Sequence, residues 1–231
     1  MKRFYKEARI ERTGARFAIV LDAQPIKTPA RRVLEVFSED LAGLIRDEWN
    51  AQGEELDMAA MPLTAIAYAA IDRVKAARDE IIEETAAFAG SDLLCYRAAE
   101  PDELVTRQKT MWDPFIDWAE ERFGVNMVLT EGVIPVEQPQ HSLQTIRKRV
   151  DGCNDMVLAA LNSATKLTGS LVLALALAEG HADAPAVWAA AQLDEEFQNE
   201  QYGEDGEAKA SSDSKFLALD AATRFMRAAR A

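Results

Sequence analysis

The sequence predicts an α+β protein. A small N-terminal β domain of antiparallel, barrel-like strands spans residues 1–58, and a larger all-helical domain spans residues 59–231. Three observations lead there. Phe17, Ile19 and Leu21 alternate with Ala18, Val20 and Asp22 among the turn formers Thr13-Gly14, Gln24-Pro25 and Thr28-Pro29, a pattern of short strands and tight turns. From Ser38 onward apolar residues recur at helical spacing. Charge changes as well. Residues 1–32 hold nine basic and three acidic residues (9 − 3 = +6), whereas the whole chain sets 26 Lys and Arg against 39 Asp and Glu, a net −13.

The elements follow in order. A further strand is expected over Val33–Phe37. Ser38 supplies an N-cap hydroxyl to a helix whose Leu41, Leu44, Ile45 and Trp49 share one face. A second helix starts near Pro62 and carries Leu63, Ile66, Ala67, Ala70, Ile71 and Val74; a third covers Asp79–Ala89. Asp113-Pro114 reads as an N-cap and first helical residue for a helix ending near Gly124. Val125–Gln140, with Gly132, Pro135 and Pro139, reads as an extended loop. Helices are then expected over Ser142–Leu161, Thr165–Ala178, Pro185–Tyr202 and Ser214–Ala229, with a polar break over Gly203–Asp213. The Thr165–Ala178 helix is apolar nearly all round, so it belongs at the centre of a bundle. The boundary between the units lies between residues 38 and 60. No Gly/Ser linker marks it, so the two are expected to pack together.

Composition excludes several function classes. A chain this acidic lacks the clustered Lys and Arg that neutralise nucleic-acid phosphates or anionic lipid. Its longest apolar run, Leu171–Ala178, is eight residues, against the ~20 of a membrane span. The two cysteines, Cys95 and Cys153, are far apart and read as reduced, buried thiols. No phosphate-binding glycine loop, nucleophile elbow or zinc pattern is present. Thr168-Gly169-Ser170 lacks a phosphate-loop context and reads as a site of close helix packing. His141 and His181, the only histidines, read as structural. No catalytic residue, cofactor, metal or small-molecule substrate is expected.

The carboxylates near the end of the chain stand out. From Asp194 to Glu207 there are seven acids (Asp194, Glu195, Glu196, Glu200, Glu204, Asp205, Glu207) and no Lys or Arg. On a helical wheel Ala186, Ala190, Leu193 and Phe197 form an apolar stripe. Glu200 falls inside its edge, Glu196 borders it, and Asp194 and Glu195 point elsewhere. Glu196 and Glu200 are a like-charge i, i+4 pair. Three readings stay open: a solvated acidic face, a docking surface for a basic patch on another protein or on this chain's own β unit, and a carboxylate active or metal site. The last lacks the Glu-x-x-His pairs of di-iron bundles. Among the four tryptophans, Trp112, Trp118 and Trp188 fit helix core faces. Trp49, in the polar stretch Asp47–Gln52, is either a lid over the junction between units or a partner anchor.

Segments along nearly the whole chain together resemble one family. They are Phe4-Tyr5-Lys6, Val20-Leu21-Asp22 with Pro25-Ile26-Lys27-Thr28-Pro29, Glu48-Trp49-Asn50-Ala51-Gln52, Met61-Pro62-Leu63-Thr64 and Ala70-Ile71-Asp72. Further on come Ser91-Asp92-Leu93-Leu94-Cys95-Tyr96-Arg97, Gln108 with Trp112-Asp113-Pro114, Thr168-Gly169-Ser170, and Leu193-Asp194-Glu195-Glu196-Phe197-Gln198 leading to Gly203-Glu204-Asp205. The sequence resembles the assembly chaperones of the F-type ATP synthase that act on the α subunit of the catalytic F₁ sector. It departs from them at Tyr202, where a Trp is usual, and at Val36-Phe37-Ser38.

The resemblance implies a β domain followed by a helical domain and a non-enzymatic role. That role is to bind newly made α subunit and shield its interface until it pairs with β. It marks Asp194, Glu195, Glu196 and Glu200 as partner-binding, with Trp49 important as well. The competing functions are an enzyme using the late carboxylates and a structural subunit retained in the complex. The Met1 start without a presequence points to the bacterial cytoplasm, or to the mitochondrial matrix for a mature eukaryotic form.

Overall fold

A computed structural model describes residues 2–132, 134–203 and 206–230. Glu204 and Asp205 lie outside the described residues.

Strands β1 (Ala8–Thr13) and β2 (Arg16–Leu21) form a hairpin in which Thr13 faces Arg16. The two-residue loop puts Gly14 at φ +64°, a conformation that costs glycine little. Strands β3 (Gln24–Pro25) and β4 (Glu35–Val36) both pair antiparallel to β2, so β2 is the centre of the sheet and is buried from Ala18 to Leu21. The strand expected over Val33–Phe37 is thus two residues long, and the sheet does not close into a barrel among the described residues.

Helix α1 (Glu39–Asn50) starts at Ser38, whose hydroxyl accepts from the Leu41 amide as expected, and packs its Leu41, Ala42, Ile45 and Trp49 face under β1 and β2. Helix α2 (Pro62–Ala69) continues as a π turn over Ala70–Val74; α3 (Arg78–Ala87) follows.

Helix α4 (Asp102–Phe123) differs from the expectation: Asp113-Pro114 does not begin it but lies inside it. Pro114 and Thr110 are both exposed, so the carbonyl that loses its amide partner lies on the solvent side. Trp112, Phe115, Ile116 and Ala119 are buried on the other side. Ahead of it β5 (Tyr96–Arg97) pairs in parallel with β6 (Thr130–Glu131).

The single helix expected over Ser142–Leu161 is two, α5 (Gln140–Asp151) and α6 (Asp155–Thr168). The Asn154 side chain caps α6 by accepting from the Val157 amide at 2.9 Å. Ile146, Val150, Val157 and Leu161 stay in helical phase across the break, which hides it from periodicity. Thr168-Gly169-Ser170 is a junction and not a packing notch. Gly169, at φ +67°, ends α6, and the Ser170 hydroxyl caps α7 (Leu171–Glu179). The helix expected over Thr165–Ala178 is therefore divided at Gly169, its first four residues ending α6; Leu171–Ala178 are all buried, so α7 is the bundle centre that the composition of this run predicts.

Asp183 caps α8 (Ala184–Tyr202) by accepting from the Ala186 amide. Helix α9 (Gly206–Ala228) begins inside the expected polar break; Leu219, Phe225 and Met226 on it are fully buried against α2, α6 and α8. Among the described residues no helix is long and apolar enough to cross a membrane. No group of three or more His, Cys, Asp or Glu among them could hold a metal ion. Both cysteines are free; Cys95 is buried and Cys153 half-buried.

Candidate functional site: the charged edge of helix α8

Several of the motif residues turn out to be fasteners, Glu48 and Asp72 between the two units and Asn50 and Gln52 within the first. The Glu48 carboxylate accepts from the Leu63 and Thr64 amides at 2.7 and 2.8 Å and from the Thr64 hydroxyl at 2.8 Å, satisfying the first turn of α2 from another helix. Burial outweighs these bonds and raises its pKa above the ordinary carboxylate range. Asn50 exchanges two hydrogen bonds with the Ala8 backbone, at 2.8 and 3.0 Å, and Gln52 accepts from the Asp57 amide at 2.7 Å. Asp72, on the π turn, accepts from the Thr28 hydroxyl at 2.7 Å and the Ala30 amide at 3.0 Å.

Trp49 belongs to this strip. It is 5% exposed, its ring lies 5.7 Å from that of Tyr5, and the Tyr5 hydroxyl donates to its carbonyl at 2.7 Å. Tyr5 and Trp49 both lie within residues 1–58, so this contact joins two parts of the N-terminal unit, and a partner reaches the covered indole only if the N-terminal segment moves.

Asp92, fully buried, accepts from the amides of Leu94 at 3.1 Å and Val172 at 3.0 Å and so ties the 3₁₀ turn at Leu93–Cys95 to the start of α7. Arg97 donates to the Leu94 carbonyl, pairs with Asp113 at 2.8 Å and lies over the Trp112 ring.

From this core a chain of contacts leads to α8. Trp112 donates its indole N–H to the Ala190 carbonyl at 2.8 Å. Gln108, buried on α4, accepts from the Ala98 amide at 2.8 Å and donates to the Asp194 carboxylate at 2.7 Å. Next to it in sequence, Arg107 donates to both oxygens of Glu200, at 2.9 and 2.8 Å, and to Glu103 at 2.7 Å, and its guanidinium lies 5.2 Å from the Phe197 ring centre.

The four acids therefore divide. Asp194 and Glu200 face α4 and are engaged. Asp194 sits at the buried edge of the helix and does not point elsewhere, because α4 covers a wider stripe than the apolar residues mark. Glu195 and Glu196 are exposed and line a cleft of about 390 Å³ between α8 and α9, with Trp188, Asn199 and Phe216. Neither has an ion-pair partner among the described residues.

Their electrostatics differ. The Arg107 guanidinium holds Glu200 below the usual carboxylate range. Partial burial, with repulsion from Glu200 second, pushes Glu196 above it. Arg107 and the α4 face were missed from sequence, although Gln108, in the resemblance, is adjacent. The histidines are remote from this edge: His181 stacks on Trp118 at 4.7 Å, and His141 is exposed at the start of α5.

An α+β protein with one open, charged helical edge is thereby defined. A family model described as ATP12 chaperone protein matches residues 2–120. The crystal structure of Atp12 from Paracoccus denitrificans is 38% identical, covering 99% of this chain and 98% of that one at a TM-score of 0.94. A variant of that protein with an aspartate replaced by lysine matches equally well, with a TM-score of 0.94. An Agrobacterium tumefaciens protein described as a candidate chaperone is 39% identical, covers 98% of this chain and 85% of that one, and superposes with a TM-score of 0.95. The chain belongs to the ATP12 chaperone family.

Proposed function

We propose that this protein is a chaperone for assembly of the ATP synthase F₁ sector, and that its client is the newly made α subunit. It binds α before α meets β, shields an interface that would otherwise aggregate, and yields to the final neighbour. It works by binding and not by catalysis, in the compartment where F₁ assembles, the cytoplasm of a bacterium or the mitochondrial matrix. The observation that carries this reading is the pair Glu195 and Glu196, exposed on a rigid helix beside an amphipathic cleft and without ion-pair partners among the described residues. Such an edge suits a basic patch on a client. Asp194 and Glu200 border it, and Trp49 contributes by holding the N-terminal segment at Tyr5 against α1.

The test is co-expression with the α subunit of the same ATP synthase, reading the fraction of α that stays soluble. Wild type is expected to keep α soluble and Glu196→Lys to let it aggregate. Equal protection by both moves the contact away from α8. Protection by neither overturns the client assignment. Stable co-purification with the assembled synthase would favour a retained subunit instead.

A further inference from the structure

A second surface, with no lining residue on α8, has the opposite charge. Between β4, the π turn after α2, and the facing ends of α6 and α9 runs an open groove of about 860 Å³. Five of its lining side chains are cations and two are carboxylates (5 − 2 = +3), in a chain whose net charge is −13. Both carboxylates are already matched, Glu35 to Arg16 at 2.6 Å and Asp155 to Arg78 at 2.5 Å. Arg230 reaches out of the groove to Glu179 at 3.3 Å. Arg32 and Lys75 remain, both exposed and both without a carboxylate partner among the described residues.

The groove is also apolar. Phe37 is 63% exposed and Val33 38%, a pair of large side chains left in water at one lip. The Arg16 guanidinium stacks over the Phe37 ring at 4.5 Å and holds it there. Ile71 and Met156 continue the apolar surface inward. A small anion would leave Val33 and Phe37 uncovered. It would also meet dispersed cations, since Arg32 is tied to the Ile71 carbonyl. An acidic chain with apolar side chains matches both features.

We propose that this groove docks an acidic segment of the client polypeptide, with carboxylates at Arg32 and Lys75 and an apolar side chain between Val33 and Phe37. The assignment to the client rests on the function proposed above, and it gives the chaperone two contact surfaces of opposite sign.

The test is fluorescence anisotropy with a labelled dodecapeptide alternating Glu with Leu and Phe, at low ionic strength where such attraction is least screened. Wild type is expected to bind it. Lys75→Glu and Phe37→Ser, both surface changes, are each expected to weaken binding by about tenfold, and Glu196→Lys to leave it unchanged. Equal affinity in wild type and both variants overturns the proposal. So does equal binding of the peptide with Lys in place of Glu, or displacement by pyrophosphate with Phe37→Ser unaffected, which would mark a small-anion site. Peptide binding that follows the variants while wild type fails to keep α soluble supports the groove and overturns the client assignment. Soluble α with no peptide binding overturns the groove alone.

Discussion

Arg107 of α4 holds Glu200 of α8 through two hydrogen bonds at 2.9 and 2.8 Å while its guanidinium lies over Phe197 three residues earlier. An intramolecular cation thus occupies one carboxylate of the proposed docking edge. Any basic client group that seeks Glu200 must displace it.

Arg107→Ala therefore releases Glu200 and removes positive charge from that edge. The expected outcome is tighter binding of the α subunit, with a change in thermal midpoint too small to matter because the ion pair is exposed. Titration calorimetry of wild type and variant against the client checks it; weaker binding by the variant would show that Arg107 itself contacts the client.

Glu48→Ala strands the Leu63 and Thr64 amides and the Thr64 hydroxyl. The expected loss is about 2 kcal/mol. Glu48→Gln keeps an acceptor oxygen and sheds a partly buried charge, so it should lose less. Urea denaturation of the three proteins gives the ranking wild type, Gln, Ala.

The Glu196 carboxyl is raised in the folded state. A raised carboxyl disfavours its own ionisation on folding, so its penalty is absent below the unfolded pKa, where it is protonated in both states. The penalty grows as pH rises through the folded pKa and is complete above it. Glu196→Gln is thus expected to stabilise at pH 7, by no more than about 0.5 kcal/mol at this exposure, and to match wild type near pH 3. A gain that is constant across that range would refute the electrostatic cause.

Burial, with the Asp92 charge second, pushes the Cys95 thiol up to about 12. At pH 8 the folded protein should leave Cys95 unmodified by iodoacetamide, with Cys153, half-buried, reacting first. Denaturation should equalise them. Mass spectrometry of the modified peptides reads the order directly.

What the sequence makes legible is what periodicity and caps encode. Ser38, Pro185 and the apolar run Leu171–Ala178 mark their elements because each is a local signal. Pro114 misleads because an Asp-Pro pair looks like a helix start, whereas burial of Trp112, Phe115 and Ile116 holds the helix through it. The break at Gly152–Asn154 is invisible because the apolar phase survives it. At the candidate edge the acids are visible as composition, but their division is not. Which of them meets Gln108 and Arg107 depends on how α4 crosses α8, a relation between residues about ninety positions apart.

Helix α9 follows α2, α6 and α8 in the chain, and its Leu219, Phe225 and Met226 seal all three. During synthesis those helices emerge with their inner faces bare, and their lid arrives only after them. A nascent molecule of this protein is itself an incomplete, sticky polypeptide until α9 clears the ribosome. Anything that delays or clips that helix turns the molecule into one more client for the cell's general folding machinery.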